Sequence, residues 1–379
     1  QVNGWYTGNF KSNAGDFNVT EGFVEAVLPL MNQGSLGTAD FNAAVRLTDY
    51  STSGTVTTWK AGVTWNPIDD VRVRGMLSRD IRAPNISELY IAGATQAVDV
   101  IDPQNGNGVF RITQVTDGNL NLSPERADTL GIGVVLQPEF LPGFQASVDY
   151  YDIDLNGAIT SLSVNEIAAR CAGGESELCS FITRNSSNII TEIRRVPINV
   201  ANLRVRGIDF DLTYRLALDT LFDGAVGDLR LLFRANRALE YAFTNNGVTN
   251  DAVGENGGPQ ANPSIPKWQT YSQIAYDYSR FGLALTMRTV SAGEYDVTWE
   301  SGVDIDNNTI KGATYFDLGG SYQLSGADDG GAELYFKIDN LLDKDPPVAA
   351  LNFSSGIQTN TALYDVLGRT YRVGMRLRY

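Results

Sequence analysis

Side chains that commonly carry enzymatic chemistry are sparse in this chain, and histidine is absent from all 379 residues. Without imidazole neither a Ser-His nor an Asp-His pairing can form, so the general-base chemistry of most hydrolases is excluded and no enzyme activity is assigned. The two cysteines stand close together in Cys171-Ala-Gly-Gly-Glu-Ser-Glu-Leu-Cys179. They read either as a disulfide closing a short polar loop, which an oxidising compartment favours, or as two free thiols. Two cysteines without histidine do not make a zinc site. Asp304-Ile-Asp306-Asn307-Asn308 opens like a calcium loop but lacks the central glycine, and Tyr315 stands where the bidentate glutamate belongs. No metal or cofactor is therefore expected. A third group, Asp99, Asp102, Asn105, Asn107, Phe110 and Arg111, mixes carboxylates, amides, an aromatic ring and a guanidinium. Such a set can hold a sugar-like ligand, the ring covering an apolar sugar face while amides meet hydroxyls, or it can be an ordinary solvated loop. With 29 basic and 44 acidic residues the net charge is -15, which repels phosphate backbones and argues against a nucleic-acid partner.

The elements that would position these groups announce themselves by period-two alternation. At the end of the chain Tyr371, Val373, Met375, Leu377 and Tyr379 share one strand face, and Arg372, Gly374, Arg376 and Arg378 share the other. An arginine face suits bulk water beside a soluble sandwich or the wet lumen of a membrane barrel. The ladder recurs near residues 40–50, 71–80 and 202–216. About 14 strands are expected, beginning with residues 2–12 and 19–30, the second ended by Pro29. No apolar run is long enough for a transmembrane helix, and the mean hydropathy of -0.16 is what alternating strands average to. Alternation fails from 81 to 124, and further polar connections fall near 157–201, 244–265, 293–311 and 341–365. From the turn at 31–39 onward every second connection is short. This organisation predicts an all-β fold, a transmembrane antiparallel β-barrel in a lipid bilayer, with short periplasmic turns and long extracellular loops. Arg46, Arg72, Arg74, Arg215, Arg372, Arg376 and Arg378, with Asp209 and Asp211, would then face the lumen as inter-strand ladders or as a substrate path. Trp59, Trp65, Trp268 and Tyr379 would serve as interfacial girdle residues.

Several motifs, taken in order, resemble TonB-dependent outer-membrane receptors. Val71 to Tyr90, with Arg82-Ala83-Pro84-Asn85 and Glu88-Leu89-Tyr90, is similar to that family's barrel strand and the segment after it. Asn121-Leu122-Ser123-Pro124-Glu125 resembles the opening of a later strand, and Phe336 to Lys344 with Gly368-Arg369-Thr370 to Tyr379 resembles the last two. The resemblance implies a bacterial outer-membrane transporter whose barrel has about 22 strands and is closed by an N-terminal plug. It implies a small-molecule nutrient as ligand, a ferric siderophore by default, and a TonB complex that supplies energy. The paired-cysteine loop is also similar to receptors associated with carbohydrate uptake. Arg82 and Glu88 then belong to a polar rim, as a gate contact to ligand or as a structural ion pair. The haem-binding histidine found in some relatives has no counterpart, and Tyr90 is the remaining candidate ligand there. No plug or TonB box is recognised and about eight of the family's strands are unaccounted for, so residues 1–379 read as the C-terminal part of a receptor barrel. The alternatives are a self-contained passive channel or lipid transporter, in which residues 2–12 pair with the terminal strand, and a soluble β-rich binding protein.

Overall fold

The computed structural model describes residues 11–220, 222–245, 247–257, 264–324, 331–349 and 358–377. The strand expected over residues 2–12 falls almost wholly outside this set, as do Arg378 and Tyr379. β1 (Val19–Gly34), β2 (Gly37–Tyr50), β3 (Gly54–Ile68) and β4 (Val71–Arg82) form an antiparallel meander. Gly37 makes the first turn possible: its φ of 82° favours glycine, and a Cβ there would lie 1.9 Å from the Asn66 carbonyl oxygen. Pro29 does not end β1 as its ring chemistry suggests. The register shifts between Pro29 and Met31 and the strand runs on to Gly34. An irregularity of this kind is one of the few places in a sheet where proline is tolerated.

After α1 (Ile86–Tyr90), β5 (Ala94–Asp102) and β6 (Gly108–Thr116) form a hairpin away from the main sheet, to which β7 (Glu125–Leu136) and β8 (Phe144–Thr160) return. The next excursion holds α2 (Val164–Ala172), α3 (Ser176–Cys179), β9 (Ile182–Arg184) and β10 (Ile190–Arg195). It is followed by β11 (Ile198–Ala217) and β12 (Asp228–Asn245), onto which β13 (Val248–Asp251) folds back. β14 (Trp268–Tyr278) and β15 (Phe281–Val290) come next, then the small pair β16 (Gly293–Glu294) and β17 (Thr309–Ile310). β18 (Ala313–Gln323), β19 (Ala332–Asp339) and β20 (Thr370–Leu377) complete the chain. Residues 81–124 are therefore not irregular throughout. Val98 and Val100 stand opposite Ile112 and Phe110, and β10 adds to β6 in parallel, giving a second sheet in the order β5-β6-β10-β9.

The main sheet runs β1-β2-β3-β4-β7-β8-β11-β12-β14-β15-β18-β19-β20, every neighbouring pair antiparallel. β1 and β20 end it and do not pair with one another. Directly opposed residues share a face, so the register sorts the side chains. Val73, Val134, Val148, Phe210 and Ala235 form one such row. This face is apolar yet exposed: Ile274 is 52% and Val373 84% accessible. The opposite face carries Arg74, Asp149, Asp209 and Asn236 in adjoining rows. A sheet that is apolar toward the outside and charged toward the inside inverts a soluble protein and matches a barrel wall in lipid. Accordingly, the two buried apolar clusters lie mainly in the connections and where they meet strand ends. Among the described residues no helix is long and apolar enough to cross a membrane. Trp65 sits at the short-turn end, its indole donating to the Leu36 carbonyl at 2.9 Å, and Trp268 opens β14 at the long-connection end.

Candidate functional site

The motif residues meet where β4 leaves the wall. The Arg82 guanidinium donates to both Glu125 oxygens at 2.7 Å, and to Glu88 at 3.0 and 3.1 Å. Glu88 also caps α1: its carboxylate accepts from Asn85 N at 2.7 Å, and Asn85 accepts from Glu88 N at 2.9 Å. This reciprocal box explains why a helix of one turn starts there. Glu125, which is 7% exposed, further accepts from Ile159 N at 2.7 Å. Arg82 thus ties the end of β4, α1, β7 and the far end of β8 together. Tyr90 donates its hydroxyl to the Asp16 carbonyl at 3.1 Å and anchors the segment before β1. The Asn340 motif closes a comparable corner: Asn340, fully buried, exchanges bonds of 2.8 and 3.0 Å with the Lys344 backbone and donates its own N–H to Asp317.

The acidic and amide residues at 99–111 do not converge on one point. Asp99 and Arg111 face each other across β5 and β6 as an exposed pair at 3.1 Å. Asp102 is fully buried and accepts from Arg184 at 2.6 and 3.0 Å, from Asn105 at 2.6 Å and from Gln104 N at 3.1 Å. The Arg184 guanidinium, helped by the two other donors, holds this carboxyl below its ordinary range. Phe110 packs on the cluster of Val100, Ile112, Ile167, Ile190 and Ile193. Asn107 takes a left-handed φ of 58° at the hairpin tip. Cys171 and Cys179 form a disulfide joining α2 to α3. Alongside it Arg170 pairs with Glu175 at 2.7 Å, and the guanidinium lowers that carboxyl's pKa.

Around the wall the connections at 252–265, 291–312 and 341–369 knit together through amides. Asn256 donates to the Ser291 carbonyl at 2.9 Å and to the Tyr364 hydroxyl at 3.1 Å, while Asn360 donates to the Asn256 carbonyl at 3.0 Å. Burial pushes the Tyr364 hydroxyl's pKa up. Beside this module the inner face opens into a basin of 510 Å³ lined by Asp209, Asp211, Arg234, Asn236, Tyr271, Arg288 and Tyr315, with Leu363 contributed by the connections. Arg234 is held by Asp211 at 2.7 Å, Asp209 accepts from Asn236 at 2.7 Å, and Arg288 pairs with Asp317 while lying 5.5 Å over the Tyr315 ring. A neighbouring basin of 750 Å³ continues past Lys337 and Arg372, both paired with Asp339. The two basins offer hydrogen-bonding groups and ring faces, with their arginines already balanced by carboxylates. That is a surface for positioning a polar solute, and it contains no nucleophile and base pair.

Sequence reasoning named Asp209, Asp211 and Arg372 on this face but missed Arg288, Asp317, Asn256 and Asn360. Asp317 had a signal, a single charge among Tyr315, Phe316 and Leu318 in an alternating run. Asn256 and Asn360 had none, because their partnership spans 104 residues and exists only through burial. Asp304 and Asn307, in the calcium-like stretch, accept from nearby backbone as turn formers, from Glu300 N and Thr309 N at 2.9 Å.

The wall has known counterparts. It superposes on the siderophore receptor PirA from Acinetobacter baumannii with a TM-score of 0.63 at 16% identity, covering 96% of this chain and 46% of that one. A ferric enterobactin receptor (PfeA) mutant from Pseudomonas aeruginosa gives 0.62 at 16% identity, covering 96% and 45%. The FrpB iron transporter from Neisseria meningitidis gives 0.55 at 14% identity, covering 95% and 44%. The chain thus spans about half the length of these structures, and at such identities the likeness speaks for the fold. No curated protein matches the sequence. The family model described as TonB dependent receptor-like, beta-barrel matches residues 1–341. The inverted wall, the Arg82 corner and this match over most of the length place the chain in the TonB-dependent receptor-like β-barrel family, whose members are receptors and transporters and not enzymes.

Proposed function

We propose that this chain forms part of the barrel wall of a bacterial outer-membrane receptor that takes up a scarce small-molecule nutrient. Its long connections face outside the cell and its short turns face the periplasm. Energy would reach the barrel from a TonB complex, through a plug and further wall strands beyond these 379 residues. The observation that carries the reading is the 510 Å³ basin on the charged inner face, overhung by an ordered connection module. Solutes crossing an outward-apolar wall must travel along its polar side. The residues at 82–111 act in this reading as the frame of the mouth, with Asp99, Arg111 and the outer side of β6 open to incoming ligand.

The basin's charge selects among ligand classes. Arg234 and Arg288 are matched by Asp211 and Asp317, and Asp209 has only an amide beside it, so no positive excess greets an anion. Tyrosine rings, amides and acceptor carboxylates suit a neutral, hydroxyl-rich ligand of carbohydrate type. The ferric siderophore reading stays as the second, motivated by fold likeness to receptors of that kind. Calorimetric titration of the whole receptor with neutral oligosaccharides and with ferric siderophores distinguishes the two. Asp209→Ala is expected to weaken binding of the productive class about tenfold, the effect of ~1.4 kcal/mol. Tight binding of anionic ferric complexes alone would sink the carbohydrate assignment and leave the receptor assignment standing.

A further inference from the structure

The outward face of the wall carries a feature that solute uptake does not use. Arg237 lies opposite Ile208 on β11 and opposite Trp268 on β14, so register places it on the lipid-facing side. One row toward the short-turn end is apolar, Phe210 with Ala235. One step the other way, past a register shift, Arg206 meets Glu240. Arg237 therefore marks the height at which the outer surface changes from hydrocarbon-compatible to charged, where headgroups sit. The charged zone beyond it is self-neutralising: Arg79 pairs with Asp128, Arg204 with Asp152 and Arg206 with Glu240. Arg237 has no such partner. Its guanidinium lies 5.4 Å over the Trp268 ring and donates to the Lys267 carbonyl at 3.1 Å, and among the described residues no carboxylate pairs with it or with exposed Lys267. The Trp268 ring is in turn stacked on Phe210, with centroids 6.0 Å apart, which fixes the platform.

We propose that Arg237, Lys267 and Trp268 form a seat for the phosphate of an outer-leaflet lipid headgroup. A guanidinium pre-oriented on an indole presents a planar fork to phosphate oxygens, a neighbouring ammonium adds charge, and the indole occupies the interface beside the first acyl carbons. In a chain of net charge -15, a cationic pair left without carboxylates at the headgroup level fits an anion supplied by the membrane. The seat rests on the wall spanning a bilayer and is independent of which nutrient is carried.

The test uses the whole receptor, reconstituted in phosphatidylcholine vesicles containing either a diphosphorylated glycolipid or its dephosphorylated form, then extracted and weighed by native mass spectrometry. The receptor should retain the phosphorylated lipid preferentially. Lys267→Gln should reduce retention about fivefold and Arg237→Ala with Lys267→Gln about twenty-fivefold, one basic residue's contribution each. Lys267→Gln leaves the backbone carbonyl used by Arg237 in place, so it remains informative where the double variant folds poorly. Equal retention of the two lipids, or retention unchanged in the Lys267→Gln variant, overturns the proposal.

Discussion

Asp102 shows how much one side chain sets in the connections. A carboxylate with no exposed surface persists only because four donor contacts replace water, two of them from the Arg184 fork. Asp102→Asn would leave the guanidinium facing a neutral amide, at a cost of about 3 kcal/mol to the β5-β6-β10-β9 sheet. Limited proteolysis within residues 81–201 reads that loss directly. The pH dependence follows from the lowered pKa. Ionised Asp102 stabilises the folded module fully above the unfolded carboxyl value of about 3.9, and this is lost as pH falls through the lower folded value. Protection should therefore stay flat from neutrality down to about pH 4 and decline only below it, and the Asn variant should lack that part of the acid decline. Part of this was legible beforehand. Asp102, Asn105, Phe110 and Arg111 were singled out by residue type, but type alone cannot separate a ligand contact from a buried anchor. The deciding partner, Arg184, lies 82 residues away.

At the scale of elements, the wall strands were readable and the excursions were not, for a physical reason. A strand packed between lipid and a wet lumen must alternate without interruption, so β2, β4, β11 and β20 declare themselves over their whole length. β5 and β6 alternate only over short stretches, and their sheet is completed by β10, a parallel addition whose contacts join residues 113–116 to 192–195. Local pattern carries no trace of such pairing. The cysteine loop was legible as a short loop, and the structure chooses the disulfide. Its role is confined to this module: it clamps α3 to α2, whose Ile167, Ala168 and Cys171 sit in the apolar cluster. Reduction, or Cys171→Ser with Cys179→Ser, is expected to destabilise that module by about 2 kcal/mol, at the lower end because the closed loop is short. Hydrogen exchange should rise over residues 161–195 and stay unchanged in β14, β15 and β18. Exchange rising equally in those wall strands would show that the module and the wall unfold as one unit.

For the whole molecule, the consequence of an inverted sheet is that environment, and not an internal core, decides stability. β1 and β20 end the sheet as open edges among the described residues, so closure requires strands that pair with both. The self-contained channel would need residues 2–12 to bridge them, and those lie almost wholly outside the described set. The bilayer requirement can be tested without knowing the missing partners' sequence, because adjacent residues on one strand face different solvents. Ile274 points outward and is 52% exposed, while Gln273 faces the lumen and donates to Thr286 at 3.0 Å. An arginine at the outward position must enter hydrocarbon, which costs about 2–4 kcal/mol near the midplane. An arginine at the inward position stays hydrated among the carboxylates of the neighbouring basin and should cost less than about 1 kcal/mol. Equilibrium unfolding of the whole receptor from vesicles should therefore rank Ile274→Arg far below Gln273→Arg. In a soluble sandwich, where an outward apolar face would have to be buried against another sheet or left in water, the exposed position would be the tolerant one. The order of two neighbouring substitutions thus reports which side of this wall meets lipid.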